Sequence, residues 1–345
     1  MDARRTIFIN GRYRGRPVTG VERYAHETVA AFGRPFQFAA PRRAATGLAG
    51  HLWEQLVLPG RVGDGVLWSP ANTGPLAVAG QVLTIHDLGP LDHPEWYRPL
   101  FAAWYRWLWP RLAARVRTVA AVSAFTRRRL TERLGLREDR IPVAPNGVDP
   151  AHFFPRPESE IAGMRTRYSL PDRYVLFIGT VQPRKNLSGL AEAFVEIWRE
   201  DPGLELVAAG GGRSARAAEV LPGVRFLGRV PDPTLPALYS GAQAFVQPSF
   251  YEGGALTMLE AMACGCPVAA ARGSALEEYA GEAARLFDPG DPAAIASAVR
   301  SLTGAESRRR ELREAGLARA RTFTWQRTAE AVEAALAAIG LRGSP

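Results

Sequence analysis

Cysteine is nearly absent from these 345 residues. The two that occur, Cys264 and Cys266, are too close in sequence for an ordinary disulfide staple, and no second pair completes a zinc site. No apolar run approaches the roughly 20 residues that a membrane-spanning helix needs. Asp-x-Asp does not occur, so the clustered carboxylates that a catalytic metal would use are missing. Met1 to Arg5 leads straight into an apolar run at 6–10, with no secretory leader. Together these absences make a soluble chain in a reducing, cytosolic compartment the expectation, with no metal and no cofactor. Lysine is scarcest of all: Lys185 stands alone among 43 basic residues. A chain that uses lysine once is expected to place it where a compact ammonium suits the chemistry.

Hydrophobic residues make up 47% of the chain and charged ones 22%, which excludes a disordered or collagen-like protein. The length suits two domains with one core each. The formal charge of +9 is unevenly placed: residues 1–150 carry 21 Arg against 12 Asp and Glu, and residues 151–345 balance. The first half should therefore meet an acidic partner, either an anionic membrane surface, a phosphorylated substrate or nucleic acid. No nucleic-acid-binding motif accompanies the charge, so nucleic acid is not the expected partner.

Short apolar runs alternate with amphipathic segments throughout, the pattern of an α/β fold with parallel sheets. The spacing predicts strands at 6–10, 36–40, 66–69, 82–86 and 118–123, then again at 174–179, 204–209, 224–227, 244–247, 267–271 and 285–287. The proline-rich stretch 142–157, with its Asn-Gly turn, reads as a domain crossing. The expected domains are 1–165 and 166–345, each doubly wound and Rossmann-like, facing a central cleft. The last helix is expected to pack back on the first domain.

In open parallel sheets ligands bind beyond the carboxyl ends of the strands. After the strand at 174–179 the chain reads Thr-Val-Gln-Pro-Arg184-Lys185-Asn186 and enters a helix. Two cations at a strand-to-helix turn, beside free N–H groups and a helix dipole, suit a diphosphate; a solvated basic turn is the alternative. After the strand at 244–247, Glu252 sits in a glycine-containing loop, and Glu260 follows inside an apolar helix. A carboxylate there needs partners, and paired ribose hydroxyls would serve; two unrelated surface glutamates are the alternative. His86 ends the strand at 82–86, where it can exchange a proton near neutral pH or serve structurally. The loop 11–20 carries Arg12, Arg14 and Arg16 and is placed to close over a phosphate. Between 94 and 117, four tryptophans interleave with arginines, which fits either an anionic membrane interface or a helix with a wet arginine face.

Taken in order, these residues resemble the retaining glycosyltransferases of the two-Rossmann-domain GT-B fold, family 4 or group 1. The likeness spans nearly the whole chain and is strongest over 174–278. There Arg184-Lys185-Asn186, Gly228-Arg229-Val230, Pro248-Ser249 and the Glu252-x7-Glu260 element follow one another. Gly20 with Arg23-Tyr24, His86-Asp87 and Pro145-Asn146-Gly147-Val148-Asp149 agree.

The resemblance implies that the domain 1–165 binds the acceptor and the domain 166–345 the nucleotide sugar, that Arg184 and Lys185 hold the donor diphosphate, doing a metal's work, and that Glu260 binds the ribose. Glu252 would contact the transferred sugar, His86 would sit beside sugar and acceptor, Gly228 to Val230 would meet the base, and Gly20 would line the phosphates. Glu278 matches a glutamate the family often carries. Where the family reads Glu-Gly-Phe-Gly-Leu-Pro, this chain has Glu252-Gly253-Gly254-Ala255-Leu256-Thr257, which predicts a looser loop. Bacterial mannosyltransferases of surface-polysaccharide assembly are the most similar members, implying GDP-mannose as donor and a glycan or lipid-linked acceptor. A sugar-nucleotide-binding module that has lost its reaction is one alternative. An NAD(P)-dependent Rossmann oxidoreductase is another, since Gly210 to Ala215 fits Gly-x-Gly-x-x-Ala with Asp232 beyond it.

Overall fold

The structure, a computed structural model, describes residues 5–44, 46–211 and 222–341. The chain divides into a first unit, Met1–Gly147 with Thr324–Pro345, and a second, Val148–Phe323.

In the first unit the strands are β1 (Ile7–Asn10), β2 (Gln37–Ala39), β3 (Val66–Ser69), β4 (Gln81–Ile85) and β5 (Thr118–Ala121). They form a parallel sheet in the order β2-β1-β3-β4-β5, with Leu67 opposite Gln81 and Val82 opposite Thr118. β3 and β4 are buried along their whole length, as strands covered on both faces must be. The helix Pro99–Arg115 buries Tyr105, Leu108, Trp109 and Leu112 against Leu83, Ile85 and Val119. The helix Trp325–Leu341 completes this unit. Its Glu333 carboxylate accepts from the backbone N–H groups of Gly33 and Arg34 at 2.8 and 2.9 Å, and Thr328 donates to the Pro145 carbonyl at 2.6 Å.

In the second unit β6 (Arg173–Ile178), β7 (Leu204–Ala209), β8 (Val224–Gly228), β9 (Ala244–Gln247), β10 (Val268–Ala271) and β11 (Ala284–Phe287) lie parallel in the order β11-β10-β9-β6-β7-β8. The helix Leu187–Glu200 turns Leu187, Leu190, Ala191, Phe194 and Ile197 inward at helical spacing. Cys264 and Cys266 are free and buried here.

The first unit ends at Gly147, earlier than the expected boundary at 165. The reason is the helix Glu158–Tyr168, which opens directly after Pro157 at the end of the proline-rich stretch: Ile161 and Met164 are buried, and Arg165 donates to the Gly241 carbonyl at 3.4 Å. Residues 148–165 therefore fold with the second sheet.

Both sheets reverse their strand order once, between β1 and β3 in the first unit and between β6 and β9 in the second. Strands on either side of a reversal send their following loops apart, leaving a crevice at the carboxyl ends.

Gly147 lies where the first unit closes on its last helix. A Cβ there would press on the Trp325 backbone nitrogen and come within 2.6 Å of the Thr324 carbonyl carbon. Gly147→Val is expected to destabilise the protein by about 1–3 kcal/mol, read as a fall in melting temperature. An unchanged melting temperature would contradict this close approach.

Candidate active site

The reversal in the second unit puts the loop after β6 beside the loop after β9. The first carries the turn Pro183–Lys185, and Asn186 follows with φ +51, a left-handed conformation that asparagine tolerates. Asn186 Nδ2 donates to the Pro289 carbonyl at 2.8 Å, fixing the entry into the helix Leu187–Glu200. The second loop carries Glu252. The two loops are joined by backbone as well, since Phe250 N–H donates to the Arg184 carbonyl at 2.8 Å.

Here the three predicted charges meet. Arg184 Nη1 donates to Glu252 Oε2 at 2.9 Å and to the Tyr251 carbonyl at 3.1 Å. Lys185 Nζ donates to Glu252 Oε1. Gln247 Nε2, from the end of β9, reaches the same Oε1 at 3.5 Å. Glu252 is buried, and burial alone would raise its pKa; Lys185 and Arg184 outweigh that and bring it down to about 2. The site thus holds a fixed anion and two cations at neutral pH.

The loop after Glu252 is not the loose one expected from its missing aromatic and proline. Residues 251–253 and 255 are buried. Thr257 donates to Gln247 Oε1 at 3.3 Å, and the Glu252 carbonyl accepts from Ala275 N–H at 3.1 Å. Hydrogen bonds hold this loop without the missing aromatic and proline.

Glu260 lies two turns on, in the helix Leu256–Ala263, and is buried; Tyr239 donates to its Oε2 at 3.0 Å. Tyr239 was missed because it sits in an apolar helical run that gives no sign of a polar role. Gln247 was missed too, although its place at the carboxyl end of β9 is the signal that finds it. Gly228 ends β8 with φ +67, its carbonyl accepts from Gly210 N–H at 2.7 Å, and Val230 beyond it is buried. Glu278 is on the exposed side of the helix Ala275–Ala280, and its carbonyl accepts from Arg319 at 2.7 Å.

Two predicted residues belong to the first unit. His86 follows β4 and is buried. Its Nε2 is 2.8 Å from the Pro70 carbonyl, which can only accept, so Nε2 carries the proton. Burial lowers the ring's pKa, against the pull of Pro70 and Asp87, which leaves Nδ1 as an acceptor. The ring meets Tyr24 edge-on at 4.7 Å. Gly20 opens the helix Gly20–Ala30 and is exposed; Glu22 accepts from Thr19 N–H at 3.2 Å and pairs with Arg16 at 3.7 Å.

The arginines of loop 11–20 do not gather over a phosphate as expected. Arg12 is buried on Thr73 and Glu54, and Arg14 lies over the Phe38 ring at 4.3 Å. Of the rival fingerprint at 210–215, residues 212–215 lie outside the described residues. Gly210 itself has a packing reason: with φ +147, a Cβ would collide with the Gly179 carbonyl.

Residues 166–319 match the family described as glycosyl transferases group 1, and residues 66–152 match glycosyltransferase family 4. The O-antigen chain mannosyltransferase B of Escherichia coli is 32% identical over 265 residues, which are 71% of this chain and 67% of that protein. A D-inositol 3-phosphate glycosyltransferase of Acidothermus cellulolyticus is 34% identical over 225 residues, 59% of this chain and 49% of that one. The chain thus spans from about half to two thirds of the length of these relatives. Among solved structures, a sucrose-phosphate synthase of Thermosynechococcus elongatus aligns over 95% of this chain and 97% of its own with a TM-score of 0.74 at 20% identity. HepE of Anabaena, in complex with UDP and glucose, aligns over 96% and 99% with a TM-score of 0.75 at 18% identity. The fold is GT-B, and with the two matched segments together covering well over half of the chain, the chain belongs to the group 1, or family 4, glycosyltransferases.

Proposed function

We propose that this glycosyltransferase moves a hexose, mannose in the first instance, from a nucleoside diphosphate sugar to a glycan or lipid-linked acceptor during assembly of a surface polysaccharide, with retention at the anomeric carbon. The observation that carries the reading is the meeting of Arg184 and Lys185 on Glu252 at a strand-order reversal. Breaking a sugar–phosphate bond builds negative charge on the departing diphosphate and positive charge on the sugar. Preorganised cations stabilise the first, which is where such a site contributes most. In this reading Arg184 and Lys185 take the diphosphate without a metal, and Glu252 turns to the sugar beside its reacting carbon. Glu260 holds the ribose, the backbone from Gly228 to Val230 meets the base, and Gly20 and Glu278 complete the donor contacts. His86 offers its Nδ1 lone pair to a sugar hydroxyl. GDP-mannose as donor is supported by the relatives named as mannosyltransferases.

Peripheral attachment to an anionic membrane is the second part of the proposal. No helix among the described residues is long and apolar enough to cross a membrane. Of the tryptophans between 94 and 117, Trp109 is a core residue whose Nε1 donates to the Asn72 carbonyl at 2.8 Å, but Trp107 is exposed with Arg111 over its ring at 4.6 Å. Leu100, about two turns earlier on the same helix, is 87% exposed. The helix Gly47–Leu56 adds Leu48, Leu52 and Leu56 along one face, with Leu48 73% and Leu56 75% exposed. Leucines and tryptophan flanked by arginines suit the boundary between headgroups and acyl chains.

Lys185→Ala is expected to lower turnover about 100-fold or more and, by taking a partner from the buried Glu252, to lower the melting temperature as well; near-parental turnover would count against the assignment. Glu260→Ala should weaken donor binding about tenfold, with a smaller effect on turnover at saturating donor. Flotation with anionic vesicles should recover the protein at low salt and lose it as salt rises, because screening weakens the arginine contribution. Leu52→Asp should reduce recovery, and no recovery at low salt would end the membrane proposal.

A further inference from the structure

Among the described residues, three that are not glycine adopt a left-handed φ. Ser169 closes the helix Glu158–Tyr168, and Asn186 follows the cation-bearing turn of the second unit. The third, Asn72, has φ +64 and lies in the loop between β3 and β4, at no helix end. A strained backbone angle persists where its surroundings hold it from several sides, and such residues gather at functional sites. Asn72 is held from three. Its N–H donates to the Thr84 carbonyl of β4 at 3.1 Å. Its carbonyl accepts from Trp109 Nε1 of the helix Pro99–Arg115 at 2.8 Å. Its side-chain Oδ1 accepts from the backbone N–H of His86 at 2.8 Å. A backbone N–H can only donate, so the carboxamide oxygen is the atom that faces His86.

The same loop meets the ring of His86. Pro70, two residues before Asn72, is buried, and its carbonyl takes the Nε2 proton of His86 at 2.8 Å. The loop therefore grips His86 twice, at the backbone through Asn72 and at the imidazole through Pro70. A third grip comes from another element: Thr126, in the helix Ala124–Leu134, donates to the His86 carbonyl at 3.2 Å. The two grips of the loop are coupled, because a single residue separates Pro70 from Asn72. A loop released at Asn72 carries the Pro70 carbonyl away from Nε2. The ring is then free to turn, and its donor and acceptor nitrogens exchange places.

We propose that Asn72 is a positioning residue for His86: its carboxamide clasps the 70–72 loop to the end of β4, and the Pro70 carbonyl then fixes the imidazole with its proton on Nε2. This rests on the reading of His86 as the group that offers its Nδ1 lone pair to a sugar hydroxyl. A fixed ring matters in that role. An imidazole that turned over would present an N–H where the hydroxyl proton has to go.

Two substitutions separate the side chain from the turn. Asn72→Gly keeps the left-handed angle, which glycine adopts freely, and removes the carboxamide. Asn72→Asp keeps both the angle and an acceptor oxygen. Exchange of ring N–H protons with water is read by NMR on the full chain with 15N-labelled histidine and tryptophan, the His86 signal being assigned from His86→Gln. The indole of Trp68, fully buried and donating to Thr84 Oγ1 at 3.0 Å, is the reference for global opening. In Asn72→Gly the Nε2 proton of His86 should exchange about tenfold faster, while the Trp68 proton keeps its parental rate. Release of GDP from GDP-mannose at saturating donor should fall about tenfold, with the donor KM unchanged. Asn72→Asp should restore most of both. An unchanged His86 exchange rate in Asn72→Gly, a Trp68 proton that accelerates to the same degree, or no recovery in Asn72→Asp would overturn the clasp. Parental turnover in His86→Gln is a separate result: it would sink the role given to His86 and leave the exchange rates to judge the clasp by themselves.

Discussion

A buried carboxylate shared by two cations is the interaction on which the second unit's site depends. Glu252 could not remain charged in its surroundings alone; Lys185 and Arg184 reverse the effect of burial and hold it far below the ordinary carboxylate range. The dependence is mutual, because removing one member of a buried ion pair leaves the other unpaired at a large cost. In the proposed reaction the donor diphosphate competes with Glu252 for the same two cations. Glu252 then needs a new partner, and the hydroxyls of the arriving sugar supply one. The charge balance of the resting site thus prepares it for a diphosphate joined to a sugar rather than for a free anion.

The two units repeat one architectural rule. Each is a parallel sheet that reverses its strand order once, and in each the polar side chains gather beside that reversal. In the second unit these are charges paired with one another. In the first they include groups whose hydrogen-bonding capacity is half used, beside the loop that carries Arg12.

Much of this was legible in the sequence. Strands covered on both faces, such as β3, β4 and β9, are continuous apolar runs that register as short hydrophobic segments, and the loops that follow them can be searched for charge. The single lysine and the Glu252-x7-Glu260 element were visible for that reason. What escaped depended on contacts distant in sequence. Tyr239 reaches Glu260 across 21 residues and Arg12 reaches Thr73 across 61, so periodicity reveals neither pairing. The helix Glu158–Tyr168 is weakly amphipathic, and its attachment to the second unit follows from Ile161 and Arg165 meeting residues near 241. The looser loop expected after Glu252 failed to appear because Thr257 and Gln247 tie it down, a bond that residue types alone do not announce.

The central claim is that Arg184 and Lys185 exist to hold a diphosphate. Calorimetric titration of GDP and UDP into the parent protein and into the Arg184→Ala/Lys185→Ala double variant tests it most directly, with the matching monophosphates as reference. The account predicts that the parent prefers a diphosphate to its monophosphate and that the double variant loses this preference. A double variant that still binds the diphosphate as tightly as the parent would contradict it.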